Sequence, residues 1–561
     1  MTSIRSSARL GRALPLPRST HPGLSFDASP EAVLIATSLF WVLAANGPFF
    51  SAALKDRAGS DVSTWGFGLA LALMLVALNL LILVMLASRW TLKPTVATLL
   101  VGTAFATHFM QQFGVYLDPS MLRNVLRTDP AEASELFTWS LLPHLLLYAG
   151  LPLWLLWHVR IVARPWRRAL LVRAGVVLIA AATVVGALLA VFQPFASLMR
   201  NEKALRYLIT PANVLWSAGA LAATEMHGAA APRRPIGLDA VPGPSWAARK
   251  KPMLLVLVVG ETARAANWQL SGYMRETTPA LAKLPDLINF PQVSSCGTQT
   301  ETSLPCMFAP VGRRDYDEAR IRGSQSLLHV LARAGVGVQW LDNQSGCKGV
   351  CEGLPTQQVS ASNLPGQCEG GHCLDEGLLQ GLGERLKTAH GSQLLVLHQL
   401  GNHGPAYFRR YPPAFAKFQP ACEHDDLRRC SREEIVNAYD NALRYTDHVL
   451  AELVGGLQHA AGEVDSALIY VSDHGESLGE SNLFLHGMPY AIAPEVQTHV
   501  PMVMWLSEGF SASTGVTPAC LRRRAGQPAR HDHLFHTVMG LLDVRSAVYE
   551  PAWDLVQDCR Q

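Results

Sequence analysis

The second half of this chain begins with Pro252-Met-Leu-Leu-Val-Leu-Val-Val259, followed by Gly260-Glu261-Thr262, and this segment is the clearest indication of its fold. A short, wholly apolar run that ends at glycine is typical of a strand buried on both faces of a sheet. Similar runs occupy 335–340, 393–398, 467–471 and 500–505, and helical periodicity lies near 325–334, 375–387 and 434–458. Strands that alternate with helices predict a mainly parallel sheet inside an α/β/α sandwich.

Chemically active side chains follow several of these strands closely in the sequence. Glu261, Asp342, His403 and the pair Asp473-His474 come directly after a predicted strand or within a few residues of it. Because functional residues of such sheets gather at the carboxyl ends of the strands, we expect these side chains to form one site.

A zinc-assisted nucleophile is the chemistry that these residues suggest. Glu261, Asp473 and His474 offer the oxygen and nitrogen ligands that zinc accepts. The hydroxyl of Thr300, in the loop Cys296-Gly-Thr-Gln-Thr-Glu-Thr-Ser-Leu-Pro-Cys306, would be the fourth ligand, since a metal-bound hydroxyl is a stronger nucleophile. Thr298 and Thr302 are alternative nucleophiles. The stretch 300–305 also predicts the start of a helix, whose amides would face an incoming phosphate.

The first third of the chain is dominated by long apolar stretches. Five of them, near 32–54, 65–87, 94–113, 138–159 and 174–194, approach the roughly 20 residues of a membrane-spanning helix, and the third is the shortest. They predict a five-helix transmembrane domain over 31–194. The first 30 residues lack the apolar core and cleavage site of a removable signal peptide, so we expect the first helix to be an uncleaved anchor.

Basic residues set the expected orientation in the membrane. Arginines crowd the segment before the first predicted helix and the loops after the second and fourth; they include Arg5, Arg9, Arg12, Arg18, Arg89, Arg160, Arg164, Arg167, Arg168 and Arg173. The positive-inside rule then makes 1–30 cytoplasmic and places the globular domain, 251–561, outside. Between them, 195–250 predicts amphipathic interfacial helices followed by a flexible periplasmic linker from Gly228 to Lys251.

All ten cysteines lie between Cys296 and Cys559. An even number confined to one globular region predicts disulfides and an oxidising compartment. Short spacings favour the pairs Cys347/Cys351, Cys368/Cys373 and Cys422/Cys430, which leaves Cys296/Cys306 and Cys520/Cys559. A four-cysteine zinc site at 347, 351, 368 and 373 is the competing interpretation. The net charge of +3 gives no reason to expect a nucleic-acid partner.

The ordered set of motifs resembles one enzyme family over nearly the whole chain. The motifs are Gly-Glu-Thr-Ala-Arg-Ala from Gly260, the Cys296–Cys306 loop, Gly401-Asn-His-Gly-Pro405, Ser472-Asp-His-Gly-Glu-Ser477 and His486-Gly-Met-Pro-Tyr-Ala-Ile-Ala-Pro494. Together they are similar to the lipid A phosphoethanolamine transferases, which include the mobile colistin-resistance enzymes. The resemblance implies an alkaline-phosphatase/sulfatase-type catalytic domain.

The resemblance also implies roles for individual residues. Thr300 would take phosphoethanolamine from phosphatidylethanolamine and pass it to lipid A, while Glu261, Thr300, Asp473 and His474 bind the catalytic Zn²⁺. His403 and His486 would contact the phosphate, protonate a leaving group or bind a second, weaker zinc ion. The residues expected to hold the phosphoethanolamine or the lipid are Asn343, Lys348, Asn124, Thr128 and Glu132.

The last three of these residues carry an alternative. Their spacing would align them on one helix face, but Pro130 favours a helix break with Thr128 or Asp129 as a new N-cap.

The same resemblance implies a monomer in the inner membrane of a Gram-negative cell, with a periplasmic catalytic domain and reduced binding of polymyxins. Three other functions compete with it. A glycerol-phosphate transferase similar to lipoteichoic acid synthases would share the metal-bound threonine. A sulfatase or phosphodiesterase would hydrolyse instead of transferring. A non-catalytic envelope scaffold would be expected to have lost metal ligands.

Overall fold

The C-terminal half is built on an eight-stranded sheet. In the computed structural model, which describes residues 25–55, 57–128, 130–162, 164–228, 232–359, 368–369 and 372–560, the strand order is β8-β2-β7-β6-β1-β5-β3-β4. The strands are β1 Met253–Gly260, β2 Ile288–Ser294, β3 Gly337–Asp342, β4 Thr356–Gln358, β5 Ser392–His398, β6 Asp465–Ser472, β7 His499–Leu506 and β8 Ala529–Arg530. Only β7 runs antiparallel to its neighbours in this sheet.

Alternate side chains of the central strand enter two different cores. Leu255, Leu257 and Val259 point into one apolar cluster, and Leu254 and Val256 point into the other. A strand buried on both faces needs apolar residues at every position, which is why β1 reads as a continuous apolar run. The α/β/α sandwich predicted from the sequence is confirmed.

Helices of very different lengths cover the two faces of the sheet. The longest, Arg432–His459, begins with a capping box in which Ser431 and Glu434 bond reciprocally to each other's backbone. The other helices of this half are Ser245–Ala248, Thr300–Met307, Glu318–Arg322, Leu327–Arg333, Leu382–Lys387, Glu495–Thr498, Glu508–Thr514, Pro518–Ala525 and Asp532–Leu541.

The N-terminal half is helical. Its helices are α1 Pro30–Ala45, α2 Gly47–Leu54, α3 Val62–Leu86, α4 Leu92–Phe113, α5 Pro119–Arg127, α6 Pro130–Leu136, α7 Leu141–His158, α8 Trp166–Ala190, α9 Phe192–Asn201 and α10 Ala212–Gly228. Among the described residues, α3, α7 and α8 are long and apolar enough to cross a membrane. The pair α1 and α2, bent by 56°, would add a fourth span.

The predicted count of five spans is not confirmed. Helix α4 forms where the third span was expected, but it is not among the described helices that are apolar enough to cross a membrane. Lys93, His108, Gln111 and Gln112 lower its mean hydropathy. The predicted cytoplasmic orientation of the N-terminus rests partly on Arg5, Arg9, Arg12 and Arg18, which lie outside the described residues.

The segment expected to be a flexible linker is held along the C-terminal half over its described part. Val241–Pro242 pairs with Val544–Arg545, and the amide of Arg234 donates to the carbonyl of Gly323. Ala240 is buried in the core. Proline and glycine allow a chain to follow a surface in an irregular path, so a composition typical of linkers also suits this fixed connection.

The cysteine predictions are confirmed. The five pairs are Cys296–Cys306, Cys347–Cys351, Cys368–Cys373, Cys422–Cys430 and Cys520–Cys559. Since all four candidate zinc ligands among them are consumed in disulfides, the four-cysteine zinc site is wrong.

Candidate active site at the carboxyl edge of the sheet

Two neighbouring strand ends bring the three predicted metal ligands together. Glu261 follows β1 directly, and Asp473 and His474 follow β6, which is paired in parallel with β1. Their ligand atoms all lie within 4.8 Å of one another, and all three side chains are fully buried. The sheet therefore places these groups as predicted.

The turn after β1 is shaped to aim Glu261. Thr262 has a left-handed backbone with φ of 53°, which is unfavourable for a residue with a branched Cβ. Its carbonyl accepts from the hydroxyl of Tyr439 at 2.7 Å, and its amide donates to Asp473 at 3.3 Å. Gly401 approaches the same turn so closely that a Cβ there would lie 2.7 Å from the Glu261 carbonyl oxygen.

Thr300 points its hydroxyl into this cluster. It is the first residue of the helix Thr300–Met307, as the sequence predicts. Its Oγ1 lies 3.1 Å from both carboxylate oxygens of Glu261 and 3.3 Å from Nε2 of His474. The alternative nucleophile Thr298 donates its hydroxyl to the carbonyl of Met488 at 2.6 Å, so that hydroxyl is engaged away from the cluster.

The residues fit a divalent cation. Nδ1 of His474 donates to the carbonyl of Gly475 at 2.9 Å, which leaves Nε2 free to act as a ligand. Oδ2 of Asp473 is buried without a hydrogen bond, and it lies 3.3 Å from Nε2 of His474, the other candidate ligand atom. A buried carboxylate oxygen in that state is costly unless a cation meets it. Two carboxylates, an imidazole and a hydroxyl within reach of one point form a suitable donor set for zinc.

The electrostatics of the cluster agree with that fit. Burial raises the pKa of Asp473, and the neighbouring Glu261 charge raises it further, to about 7. Burial lowers the pKa of His474, but the charges of Asp473 and Glu261 outweigh it and raise the pKa to about 10. A pocket that pulls a proton onto a buried histidine is one that attracts positive charge.

His403 and His486 lie on one side of the cluster. The ring of His486 is centred 4.5 Å from the ring of His474 and 5.4 Å from that of His403. Nδ1 of His486 lies 3.2 Å from the buried carboxylate of Glu476, which fixes the ring. Burial lowers the pKa of His486. The two histidines therefore form a pair beside His474.

Asn343 and Lys348 are occupied by local contacts. The amide of Asn343 donates to Asp375 at 2.8 Å and to the carbonyl of Cys373 at 2.9 Å, so it braces the chain near the disulfide. Nζ of Lys348 donates to the hydroxyl and the carbonyl of Ser345. The structure shows no contact of either residue with Glu261, Asp473 and His474, here called the metal-type cluster. Their substrate role stays a prediction.

Of the two arrangements left open for Asn124, Thr128 and Glu132, the single continuous helix does not form. Helix α5 ends at Arg127, Thr128 is extended, and Pro130 begins α6, which is the helix break that Pro130 favours. The hydroxyl of Thr128 donates to the carbonyl of Asn124 at 2.7 Å. The side chain of Glu132 lies outside the described residues.

Sequence reasoning missed two residues that support the cluster. Gln344 donates its amide to Glu261 at 3.1 Å and is almost fully buried. His531 is buried; its Nδ1 accepts from the amide of Cys296 and its Nε2 donates to the carbonyl of Ser472. The signal available for Gln344 was its position in the turn directly after β3.

Two helices of the membrane half, α5 and α6, contact this site. They are called the docking segment, Pro119–Arg127 and Pro130–Leu136. Arg127 lies 3.0 Å from the carboxylate of Glu301, the buried residue next to Thr300, and Arg322 lies 3.1 Å from the same oxygen. Ser120 accepts from the side chain of Gln299 at 2.9 Å. The helix that begins at the candidate nucleophile is thus held directly by the membrane half.

A cavity of about 810 Å³ opens between the two halves of the chain. Gly47, Ser51 and Tyr116 line it from the membrane half. Leu483 and Met488, on either side of His486 in the sequence, line it from the other half. The cavity therefore joins the region of the apolar helices to the loop that carries one of the site histidines.

Fold and site together define an enzyme of the sulfatase and alkaline-phosphatase-like class joined to a membrane-type helical region. A family model described as Sulfatase matches residues 254–544, and one described as Phosphoethanolamine transferase EptA/EptB matches residues 75–226.

Whole-chain relatives agree with both matches. The phosphoethanolamine transferase EptA of Escherichia coli K12 is 38% identical over 88% of this chain and 90% of its own length. The phosphatidylethanolamine transferase Mcr-1 of Escherichia coli is 38% identical over 92% and 96%. The solved integral membrane lipooligosaccharide phosphoethanolamine transferase A of Neisseria meningitidis superposes with a TM-score of 0.91 at 36% identity, covering 95% of this chain and 99% of that one. The chain belongs to the phosphoethanolamine transferase family and is a transferase.

Proposed function

We propose that this chain transfers phosphoethanolamine from phosphatidylethanolamine to lipid A through a covalent phospho-Thr300 intermediate, with one catalytic Zn²⁺. The single observation that carries the proposal is the position of the Thr300 hydroxyl, 3.1 Å from Glu261 and 3.3 Å from His474 at the start of a helix. Glu261, Thr300, Asp473 and His474 would hold the zinc. Bound there, zinc would lower the pKa of the Thr300 hydroxyl and offset negative charge on the phosphate.

In the first half-reaction, Oγ1 of Thr300 attacks the phosphorus of the donor lipid. The bond between phosphorus and the diacylglycerol oxygen breaks, and diacylglycerol leaves with a proton. His403 and His486 would contact the phosphate or help to protonate the leaving oxygen, since their two buried rings lie beside His474. The cavity of about 810 Å³ between the two halves would admit the lipid from the membrane side.

In the second half-reaction, a phosphate oxygen of lipid A attacks the phosphorus of phospho-Thr300. The bond between phosphorus and Oγ1 breaks, and the nucleophile is regenerated. Adding a cationic amine to lipid A would weaken its attraction for polymyxins, because the interaction depends on charge. The disulfides favour a periplasmic location for the catalytic half, anchored in the inner membrane of a Gram-negative cell as a monomer.

Mass spectrometry of lipid A tests the proposal. The native chain, expressed in a polymyxin-sensitive Gram-negative host, is expected to add one phosphoethanolamine mass, and Thr300→Ala is expected to abolish the addition. Thr302→Ala is the matched control from the same loop and should keep it. An addition that survives Thr300→Ala would assign the nucleophile elsewhere. No addition by membrane-inserted, oxidised native protein would reject lipid A as the acceptor and favour a glycerol-phosphate or other envelope reaction.

A further inference from the structure

A buried ion pair joins the membrane half to the catalytic half near the active site. Glu135, at the end of α6, has a fully buried side chain, and the side chain of Arg410 is 1% exposed. Nη2 of Arg410 lies 2.5 Å from Oε2 of Glu135. Burying both charges has a desolvation cost that their attraction offsets only approximately, so stability alone is a weak reason for such a pair.

The same arginine holds the backbone of a site residue. Nε of Arg410 donates to the carbonyl oxygen of His403 at 2.7 Å. The guanidinium is planar and rigid, so the directions of its Nε and Nη2 donors are fixed relative to each other. Through one side chain, the position of α6 therefore sets the position of the His403 backbone.

His403 has little freedom at the far end of that connection. Its side chain is 5% exposed, and its ring faces that of His486, which in turn faces the metal ligand His474. A shift of about 1 Å at a proton donor can lower a rate about 100-fold. The accuracy with which Arg410 is held is thus expected to matter for proton transfer.

We propose that Glu135 and Arg410 are a positioning pair for His403, through which the docking segment takes part in group transfer. The inference rests on the proposed function and names two residues that act on that site without touching the reacting atoms. It makes the membrane half a component of the catalytic arrangement in addition to an anchor.

The test uses the full-length protein in vesicles that contain phosphatidylethanolamine and lipid A, the acceptor that regenerates Thr300, and measures release of diacylglycerol, the product of the first half-reaction. Glu135→Gln keeps the shape of the side chain but leaves Arg410 without its counter-charge. We expect a loss of about 10- to 100-fold, carried by kcat with KM little changed, in a protein that retains its zinc and its disulfides.

Arg409→Gln is the matched control. Arg409 is the preceding residue, also faces Glu135 with Nη1 4.0 Å from Oε1, and is 46% exposed. We expect its activity to stay within about twofold of the native chain, as is usual for an exposed charge. An equal loss in both variants would reduce the effect to general charge and overturn the inference.

A double variant separates positioning from folding. If the pair acts through His403, Glu135→Gln should cause no further loss in a His403→Ala background. Losses that multiply, or a Glu135→Gln protein that has lost its zinc, would overturn the inference. An active native chain whose Glu135→Gln variant is equally active would overturn it as well. A native chain that releases no diacylglycerol would instead reject the proposed function.

Discussion

The metal-type cluster and the contact between the two halves of the chain use charge in opposite ways. In the cluster, the two carboxyl groups of Glu261 and Asp473 are buried side by side next to one imidazole, that of His474. At the contact between the halves, each buried carboxylate meets an arginine: Glu301 meets Arg127 and Arg322, and Glu135 meets Arg410.

The comparison indicates which of the two regions needs a bound cation from solution. The contact between the halves is balanced by its own side chains, so it can hold an orientation without a ligand. The cluster is unbalanced, which is the condition under which a buried site binds a cation from solution. Four substitutions test this difference between the two regions.

The largest effect is expected when the charge of the cluster is altered. Glu261→Gln removes one of the two carboxylates and should lower both bound zinc and transfer, the latter by about 10³-fold or more. Metal analysis of the purified full-length protein and the diacylglycerol-release assay measure the two quantities. Normal zinc content in this variant would contradict the assignment of Glu261 as a ligand.

A smaller loss is expected from the residue that ties the nucleophile loop to the metal loop. His531→Ala removes the acceptor for the Cys296 amide and the donor for the Ser472 carbonyl. We expect activity to fall about 10- to 100-fold and the free energy of unfolding to fall by about 1–3 kcal/mol. Thermal denaturation and the transfer assay would be run together. His533→Ala, in the helix that begins directly after His531, serves as the comparison; an equal loss of activity there would argue against a specific role for His531.

A change at the contact between the halves is expected to cost less than a change in the cluster. Arg127→Gln leaves Glu301 paired with Arg322, so we expect transfer to fall about tenfold with zinc content unchanged. The double variant Arg127→Gln, Arg322→Gln should lose more than the product of the two single losses, because Glu301 would then be buried without either arginine. Independent losses would show that Glu301 is not the shared partner.

The smallest effect is expected at an exposed pair near the same network. Arg320 lies 2.9 Å from Asp315, and their side chains are 56% and 72% exposed. Arg320→Gln should change transfer less than twofold and stability by less than about 0.5 kcal/mol, because such pairs are screened by water. A loss comparable to that of Arg127→Gln would erase the distinction between a pair with a buried carboxylate and a pair in which both side chains are exposed.

Much of the sheet was predictable because its central strands are buried on both faces. The five continuous apolar runs all became strands, whereas Ile288–Ser294 was missed because Asn289 and Gln292 interrupt its apolar character. The count of spans was less predictable, since α4 carries polar residues that contact other parts of the chain. Gln112, for example, donates to Asp426 of the catalytic half at 3.2 Å.

The site residues that could be predicted from the sequence are those that come directly after a strand. Glu261, Asp473 and His474 meet because parallel strands present their carboxyl ends at one edge. Local sequence could not distinguish Thr298 from Thr300, and only the tertiary structure shows that Thr298 donates to Met488. Gln344 and His531 were missed because their partners are 83 and 235 residues distant in the sequence.

From the sequence alone we could infer the α/β/α sandwich, the membrane-type helical region, disulfides with three favoured short-range pairs, and the three candidate metal ligands. The sandwich, the helical region and the short-range cysteine pairs follow from local patterns and short spacings, and the candidate ligands follow from their positions directly after predicted strands. The contacts between the two halves and the threonine that faces the ligands are visible only in the tertiary structure. The same holds for the pair Glu135 and Arg410, which are 275 residues apart in the sequence. Long-range pairs of charged groups leave no periodic pattern in the sequence. They form because a charge buried in the folded protein needs a partner, and that burial does not exist in the unfolded chain.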